Sequence, residues 1–452
     1  TITLGQSGDT VSLASGASQT GFGRTGTVDW ITTPKVTGDS PVTAVTGKGY
    51  FLNTTAGTIT INLPAGAAGS IVSMADYAGT WNSNNVTVSP NGAEKIGGSA
   101  NDATLSVEGQ SVTFVYVDGT QGWVNTMDST SNVRGETFVA ATVSGACNTL
   151  ATAPCCANTK IATFLGPGTF CVSSVSTCAA NNLVSYMIVA GGGGGSGGGC
   201  ASTTNGGGGG GAGGYREVES PVTPYTSSPL DGYPNAPNRI TVTASPYPII
   251  VGAGSPAATG SSNPRTGVTG NVSTFDSITS AGGGGGGCGT NTSPTQGIGT
   301  AGGSGGGAGW KAAPGGTPGA GNTPPTTPPQ GQSGGDNTGA GGGGGGGGAG
   351  AAGSASPGAP TADGGAGGNG VSSSISSAAV LRAGGGGAGN WANANSAAAG
   401  TGGGGAGGAN SPGGNATINT GGGGGGAGAM PGCCTTGGQG GSGVVIIRYK
   451  FQ

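Results

Sequence analysis

The sequence predicts an all-β N-terminal module (residues 1–130), a small cysteine-containing β linker module (131–185) and a glycine-rich domain (186–452) of packed polyglycine II helices bracketed by β-strands. Three observations carry this reading. Runs of Thr, Val and Ile with period two fill the first part, where helical spacing is nearly absent. Of the 111 glycines, 23 fall in residues 1–190 and 88 in the remaining 262. Two apolar strings, LVSYMIVA (183–190) and GVVIIRYKF (443–451), flank the glycine-dense part.

In the first module, GYFLNTTAGTITINLPAG (49–66) sets Phe51, Ile59, Ile61 and Leu63 in alternation, with Ala56-Gly57 as a tight connection and Pro64 ending the strand. SIVSMAD and NNVTVSPNG follow. In ATLSVEGQSVTFVYVDGTQGW, Val112, Phe114 and Tyr116 then alternate with Thr113, Val115 and Val117 up to the turn dipeptide Asp118-Gly119. The result reads as a β-sandwich-like module. Trp30, Tyr50, Trp81, Phe114, Tyr116 and Trp123 are expected in its core or in a subunit interface, since strand alternation already requires Tyr116 and Trp123 to pack; a carbohydrate platform is the alternative.

The linker module has period-two stretches around the turn Gly166-Pro167-Gly168 and holds five of the nine cysteines, Cys147, Cys155, Cys156, Cys171 and Cys178. Cys200, Cys288, Cys433 and Cys434 follow. An odd number leaves at least one unpaired or intermolecular. A disulfide between Cys171 and Cys178 is one expectation, since both flank the turn-capable VSSVST; small buried thiols are the other.

Composition excludes several functions. With no His, histidine catalysis and histidine metal ligation are absent. The net charge of -3 gives no basic footprint for nucleic acid. No stretch approaches the roughly 20 apolar residues of a membrane-spanning helix, and TITLGQSGDTVSL does not read as a signal peptide. No GxxxxGK[ST] occurs, and polyglycine matches the glycine part of other motifs by chance. No catalytic, cofactor-binding or metal residues are therefore expected, and no cofactor.

Ordering glycine costs more backbone entropy than ordering any other residue and buries no side chain. Runs such as Gly191–Gly195, Gly206–Gly211, Gly282–Gly287, Gly341–Gly348 and Gly421–Gly426 can offset that cost only through peptide groups. Threefold extended helices without Cβ atoms approach closely, pairing N–H with C=O sideways. These runs, starting at Gly191, Gly206, Gly282, Gly341 and Gly421, are the structural glycines. The Pro- and Tyr-rich segments 216–240 and 309–337 do not suit such a lattice and are expected to leave it as exposed loops. Tyr225, Tyr233, Tyr247, Trp310 and Trp391 are then either clamps at bundle ends or exposed anchors for a receptor. The apolar strings 183–190 and 443–451 are expected to meet and close the domain.

The order SYMIVAGGGGG (185–195), ITVTASPYPIIVGAG (240–254), STFDSITSAGGGGGG (273–287) and GGSGVVIIRYKF (440–451) resembles the glycine-rich domain of tail-fibre and adhesin proteins of bacterial viruses. The stretches GKGYFLNTTAGTITINLPAG, SIVSMADYAGTW, NNVTVSPNG and VTFVYVDGTQGW are similar to β modules of phage virion structural proteins. The resemblance implies a virion location, polyglycine-helix sandwiches, distal loops that bind host surface glycan or outer-membrane protein, a homotrimer along a fibre axis, and contacts with other virion proteins. The insert around 311–336 departs from the minimal version. A purely structural fibre, neck, collar or capsid decoration protein is the alternative function. A glycan depolymerase is a lesser one, because it needs facing carboxylates that the spacing of Asp76, Asp118, Glu217, Glu219, Asp231, Asp276, Asp336 and Asp363 does not supply.

Overall fold

The computed structural model describes residues 28–128 and 138–452, except 155, 177, 199–204, 259–264, 290–295, 311–315, 339–340, 358–362, 392–394 and 430–434. Two compact units divide at residues 135/136. Among the described residues there is no α-helix.

The first unit holds β1 (Asp29–Val36), β2 (Val42–Thr43), β3 (Lys48–Asn53), β4 (Ile59–Asn62), β5 (Ile71–Asp76), β6 (Val86–Ser89), β7 (Ala103–Leu105), β8 (Ser111–Asp118) and β9 (Gly122–Asp128). Strands β1, β3 and β5 run parallel and continue antiparallel into β8 and β9. Strands β2, β4 and β6 run parallel in a second sheet that ends in β7. Parallel neighbours need a crossover, and here each crossover is a strand of the opposite sheet. The expected two-layer packing is therefore reached by winding. The turn at Ala56-Gly57 exists, closed by the Gly57 N–H to the Thr54 carbonyl (3.1 Å), but it joins opposite sheets.

Between the sheets lie Leu52, Ile61, Met74, Trp81, Val88 and Trp123, all fully buried. Trp30 departs from the expected core: it is 39% exposed and stacks on Phe51 with ring centroids 4.9 Å apart. Gly49 makes room for it, since a Cβ there would strike the Trp30 ring. Tyr116 is half-buried, edge-on to Trp123 at 5.6 Å. The Asp118-Gly119 turn forms as its residues dictate: Asp118 Oδ1 accepts the N–H groups of Thr120 (2.8 Å) and Gln121 (2.7 Å), which hold its carboxyl below the usual range. Asp76 is likewise a staple, accepting from the N–H groups of Gly79, Thr80, Trp81 and Gly109.

The second unit contains β10 (Ala140–Val143), β11 (Thr149–Ala153), β12 (Cys156–Phe164), β13 (Gly168–Ser174), β14 (Leu183–Val189), β15 (Tyr215–Val218), β16 (Ile240–Thr241), β17 (Pro246–Ile250), β18 (Ser273–Phe275), β19 (Ile278–Ser280), β20 (Val371–Ser373), β21 (Val380–Arg382) and β22 (Val444–Lys450). The two apolar strings meet: β14 pairs antiparallel with β22, Val189 opposite Val444 and Tyr186 opposite Ile447. The segment expected as a separate linker module is built into the same sheets. Strand β12 pairs with β22, and β13 pairs with β17. Strands β14 and β22 are mostly apolar because both of their faces are covered, with Ser185 and Arg448 as buried polar exceptions. Phe164, Tyr186, Ile188, Val445, Ile447 and Tyr449 face one core, and Met187, Val189, Val444 and Ile446 face another.

The expected disulfide is not formed, and Cys171 and Cys178 stand as free thiols. Strand alternation turns Cys171 outward between buried Phe170 and Val172. The turn is closed instead by Asn182, whose Oδ1 accepts the Ser176 N–H (2.7 Å) and whose Nδ2 donates to the Ser176 carbonyl (2.9 Å).

Beyond the sheets, the glycine segments pair through their backbones in steps of three. In 206–214, the N–H groups of Gly206, Gly209 and Ala212 donate to the carbonyls of Gly341, Gly344 and Gly347. Those of Gly207, Gly210 and Gly213 donate to Ala427, Gly424 and Gly421, and those of Gly208, Gly211 and Gly214 to Gly287, Gly284 and Ala281. Its carbonyls accept from Gly193 and Ser196, from Ser304, Gly307 and Trp310, and from Gly386 and Gly389. Six segments thus surround 206–214. They also bond to one another in a closed ring, through pairs such as Gly344 to Ala308, Gly346 to Gly386, Gly423 to Gly384, Gly424 to Gly193, Gly283 to Gly191 and Gly284 to Ser304.

Close approach is what requires glycine here. A Cβ on Gly191 would overlap the Ala253 carbonyl, on Gly206 that of Gly389, on Gly282 that of Gly270, and on Gly210 that of Gly193. Gly341 and Gly421 require glycine for another reason, with φ of 99° and 69°.

Candidate functional site

The glycine array has two unlike ends. At the sheet end, Ala190 donates to the Gly214 carbonyl (3.0 Å) and Gly214 to that of Ala281 (2.7 Å), level with the termini of β14, β15 and β19. At the far end, Gly198 donates to Thr435 (3.0 Å), Trp310 to Gly206 (3.2 Å) and Ala429 to Asn390 (3.0 Å).

The Pro-rich segments expected to protrude are pinned at the sheet end. Asn322 Oδ1 accepts the N–H groups of Thr326 (2.9 Å) and Gln330 (3.2 Å), which curls the loop. Gln330 is fully buried. Its Oε1 accepts the Ala281 N–H (2.8 Å), its carbonyl accepts the Tyr215 N–H (2.8 Å), and its Nε2 donates to the Pro324 carbonyl (2.7 Å). The Thr327 carbonyl accepts from Asn238 Nδ2 (2.8 Å), which ties this loop to 219–239.

Loop 219–239 is itself held by acids. Glu217 is buried and accepts from the Tyr215 hydroxyl (2.8 Å), the Ser228 N–H (3.0 Å) and the Ser373 hydroxyl. Burial first, and the Glu217 charge second, push the Tyr215 hydroxyl well above its ordinary range; Tyr225 is raised by the same pair of causes. Glu219 Oε1 accepts the Tyr225 N–H (3.0 Å), and Asp231 Oδ1 accepts those of Glu219 and Tyr233 (3.0 Å each).

Of the two alternatives for the tyrosines, this arrangement matches the clamp. Tyr247 is buried against Phe275, with its hydroxyl bonded to the Thr243 N–H (2.8 Å). Tyr225 donates to the Val218 carbonyl (3.3 Å) beneath Arg448. Tyr233 packs against the core under Arg239, 4.3 Å from its ring centroid. All three clamp the sheet end.

The two tryptophans lie at the far end. Trp391 is 44% exposed and follows Asn390, whose N–H donates to Gly408 (3.1 Å). Trp310 is half-buried, and its indole N–H has no partner among the described residues. They end segments 302–310 and 383–391, which both bond to 206–214 and to 341–349. Nearby, burial pushes the Cys288 thiol up, against the opposing effect of Arg265. Among the described residues, no cluster of acidic and thiol groups has metal-ligating form, and no helix is long and apolar enough to cross a membrane.

Residues 166–450 match the family described as Glycine-rich domain, well over half of the chain. The chain belongs to the glycine-rich domain family. A second similarity of this family member is to baseplate wedge protein gp10 of Enterobacteria phage T4, at 36% identity over 78 residues. That match covers 17% of this chain and spans 13% of the phage protein. Sequence reasoning missed Gln330, Glu217 and Arg448. The roles of Gln330 and Arg448 are unmarked locally because they bond to backbone distant in the chain, and that of Glu217 because one of its partners, Ser373, is distant.

Proposed function

We propose that this protein is a virion structural component of a bacterial virus whose glycine segments are polyglycine II helices, packed hexagonally into a rigid scaffold that presents its far end to the host surface. The observation that carries this reading is the closed ring of six segments around 206–214 with hydrogen bonds repeating every third residue. A threefold helix directs successive peptide groups 120° apart and so supports that assignment. Such a lattice is stiff, has no apolar cleft of its own and leaves recognition to its ends. The far end carries Trp310 and Trp391, the kind of rigid aromatic that dominates binding energetics. Likeness to a baseplate wedge protein supports assembly with other virion proteins. The remaining parts of the reading are an extracellular particle location, a homotrimer, a host glycan or outer-membrane protein as receptor, and no enzymatic activity.

The short baseplate match favours one second reading, a structural role without receptor binding. Adsorption competition with the purified full chain separates the two. The adhesin reading expects protection of host cells from infection, and a loss of about tenfold or more in competing potency for Trp310→Ala/Trp391→Ala, the size of one hot-spot pair. Unchanged potency of a folded double variant, or no competition by the native chain, leaves the structural reading.

A further inference from the structure

We infer that Asn91-Gly92 is a site of spontaneous self-modification: the asparagine cyclises, loses ammonia and reopens in water to an isoaspartyl link that releases Glu94 from its partners. The chain has three Asn-Gly steps, Asn91-Gly92, Asn205-Gly206 and Asn369-Gly370. In such a step the following residue has no Cβ to hinder the approach of its nitrogen to the carboxamide. The fold treats the three differently.

Asn205 is buried, and the Gly206 N–H donates to the Gly341 carbonyl (3.0 Å) within the array. Asn369 is exposed but fastened. Its Oδ1 accepts the N–H (3.1 Å) and the hydroxyl (3.0 Å) of Thr401, and the Gly370 N–H donates to the Thr401 carbonyl (2.8 Å). Asn91 follows β6 in an exposed turn closed by the Glu94 N–H to the Asn91 carbonyl (3.0 Å). Among the described residues, neither its carboxamide nor the Gly92 N–H has a hydrogen-bond partner. A Cβ on Gly92 would meet nothing within 4 Å, so the two reacting groups stand in open space. Burial thus separates Asn205 from Asn91, and hydrogen bonding separates Asn369 from it.

In the first step the Gly92 nitrogen loses its proton and bonds to Asn91 Cγ. The Cγ–Nδ2 bond breaks, and the amide group leaves as ammonia, taking up one proton in place of the one lost. Water then adds to the cyclic imide. Opening at Cγ gives Asp, whereas opening at the Asn91 carbonyl carbon gives an isoaspartyl link with a free α-carboxylate. No oxidant enters, and either product adds one negative charge to the net charge of -3. The isoaspartyl link matters because this turn positions Glu94, whose Oε1 accepts the Gly66 N–H (2.9 Å) and whose Oε2 accepts the indole N–H of fully buried Trp123 (3.2 Å). One extra main-chain carbon in the turn, and conversion of the carbonyl that closes it into a carboxylate, displace Glu94 from both donors.

Incubation of the native full chain at pH 8, read by peptide mass spectrometry with Asp and isoaspartyl peptides separated, tests the site. Asn91 should convert about tenfold or more faster than Asn205 and Asn369, whose hydrogen bonds must open first. In denaturant the three rates should come together. Native rates that are equal, or slowest at Asn91, overturn the inference. Hydrogen exchange at the Gly66 amide tests the release. It should quicken in the isoaspartyl chain and stay slow in freshly prepared Asn91→Asp, which adds the charge without lengthening the main chain. Unchanged Gly66 exchange in the isoaspartyl chain, or equal quickening in Asn91→Asp, overturns the release.

Discussion

At Gly210 a single methyl group would meet the carbonyl of Gly193 and the backbone of Gly194. Neither can move without breaking the bonds from Gly193 to Gly211 and from Gly424 to Gly193. Gly210→Ala should therefore lower the stability of the second unit by about 1–3 kcal/mol or more. Gly166→Ala, whose Cβ would sit at an ordinary 3.8 Å from the Ala146 carbonyl, should stay within about 0.5 kcal/mol. Denaturant melts of the two variants compare them directly. The tyrosines give a second test. Burial pushes the Tyr449 hydroxyl up to about 12 and also raises those of Tyr186, Tyr215 and Tyr225. An unfolded tyrosine titrates near 10, so above that pH the unfolded chain releases protons that the native side chains keep. Stability should be intact below about pH 10 and fall as pH rises toward 12, visible as a falling melting temperature in that window.

Loops and strands differ in how much of them the residues declare. Asp118-Gly119 was legible because its turn is closed by bonds two and three residues away. The pairing of β14 with β22 was legible because an unbroken apolar run needs cover on both faces. The winding of β1 to β6 was not, since period-two alternation is the same for a hairpin and for a parallel turn. The sites of Tyr225, Tyr233 and Tyr247 were also hidden, because the groups that bury them, such as Arg448 and Phe275, come from distant chain. Gln330 governs the Pro-rich loop in the same non-local way. Gln330→Ala leaves the buried Ala281 N–H without an acceptor and should cost about 1–3 kcal/mol. Limited proteolysis should then cut 321–330 while the strands remain intact; a loop that resists cleavage as in the native chain would contradict its role as a pin.

Across the second unit, the array and the sheets depend on each other. Fixing one backbone costs about 1–2 kcal/mol, whereas a peptide hydrogen bond returns a net of about 0.5–1.5 kcal/mol, so the glycine segments fall somewhat short alone. The apolar base of β12, β14 and β22 supplies the surplus and fixes the register from which the segments extend. The account rests on those segments being locked laterally, most firmly at 206–214, where every N–H has a partner on one of three neighbours. Hydrogen–deuterium exchange of the native full chain, resolved to single amides, measures this directly. The account predicts the slowest exchange at Gly207–Gly213, close to that of β14 and β22, with faster exchange in the outer segment 395–400. Exchange at Gly207–Gly213 as fast as in an unfolded chain would contradict it.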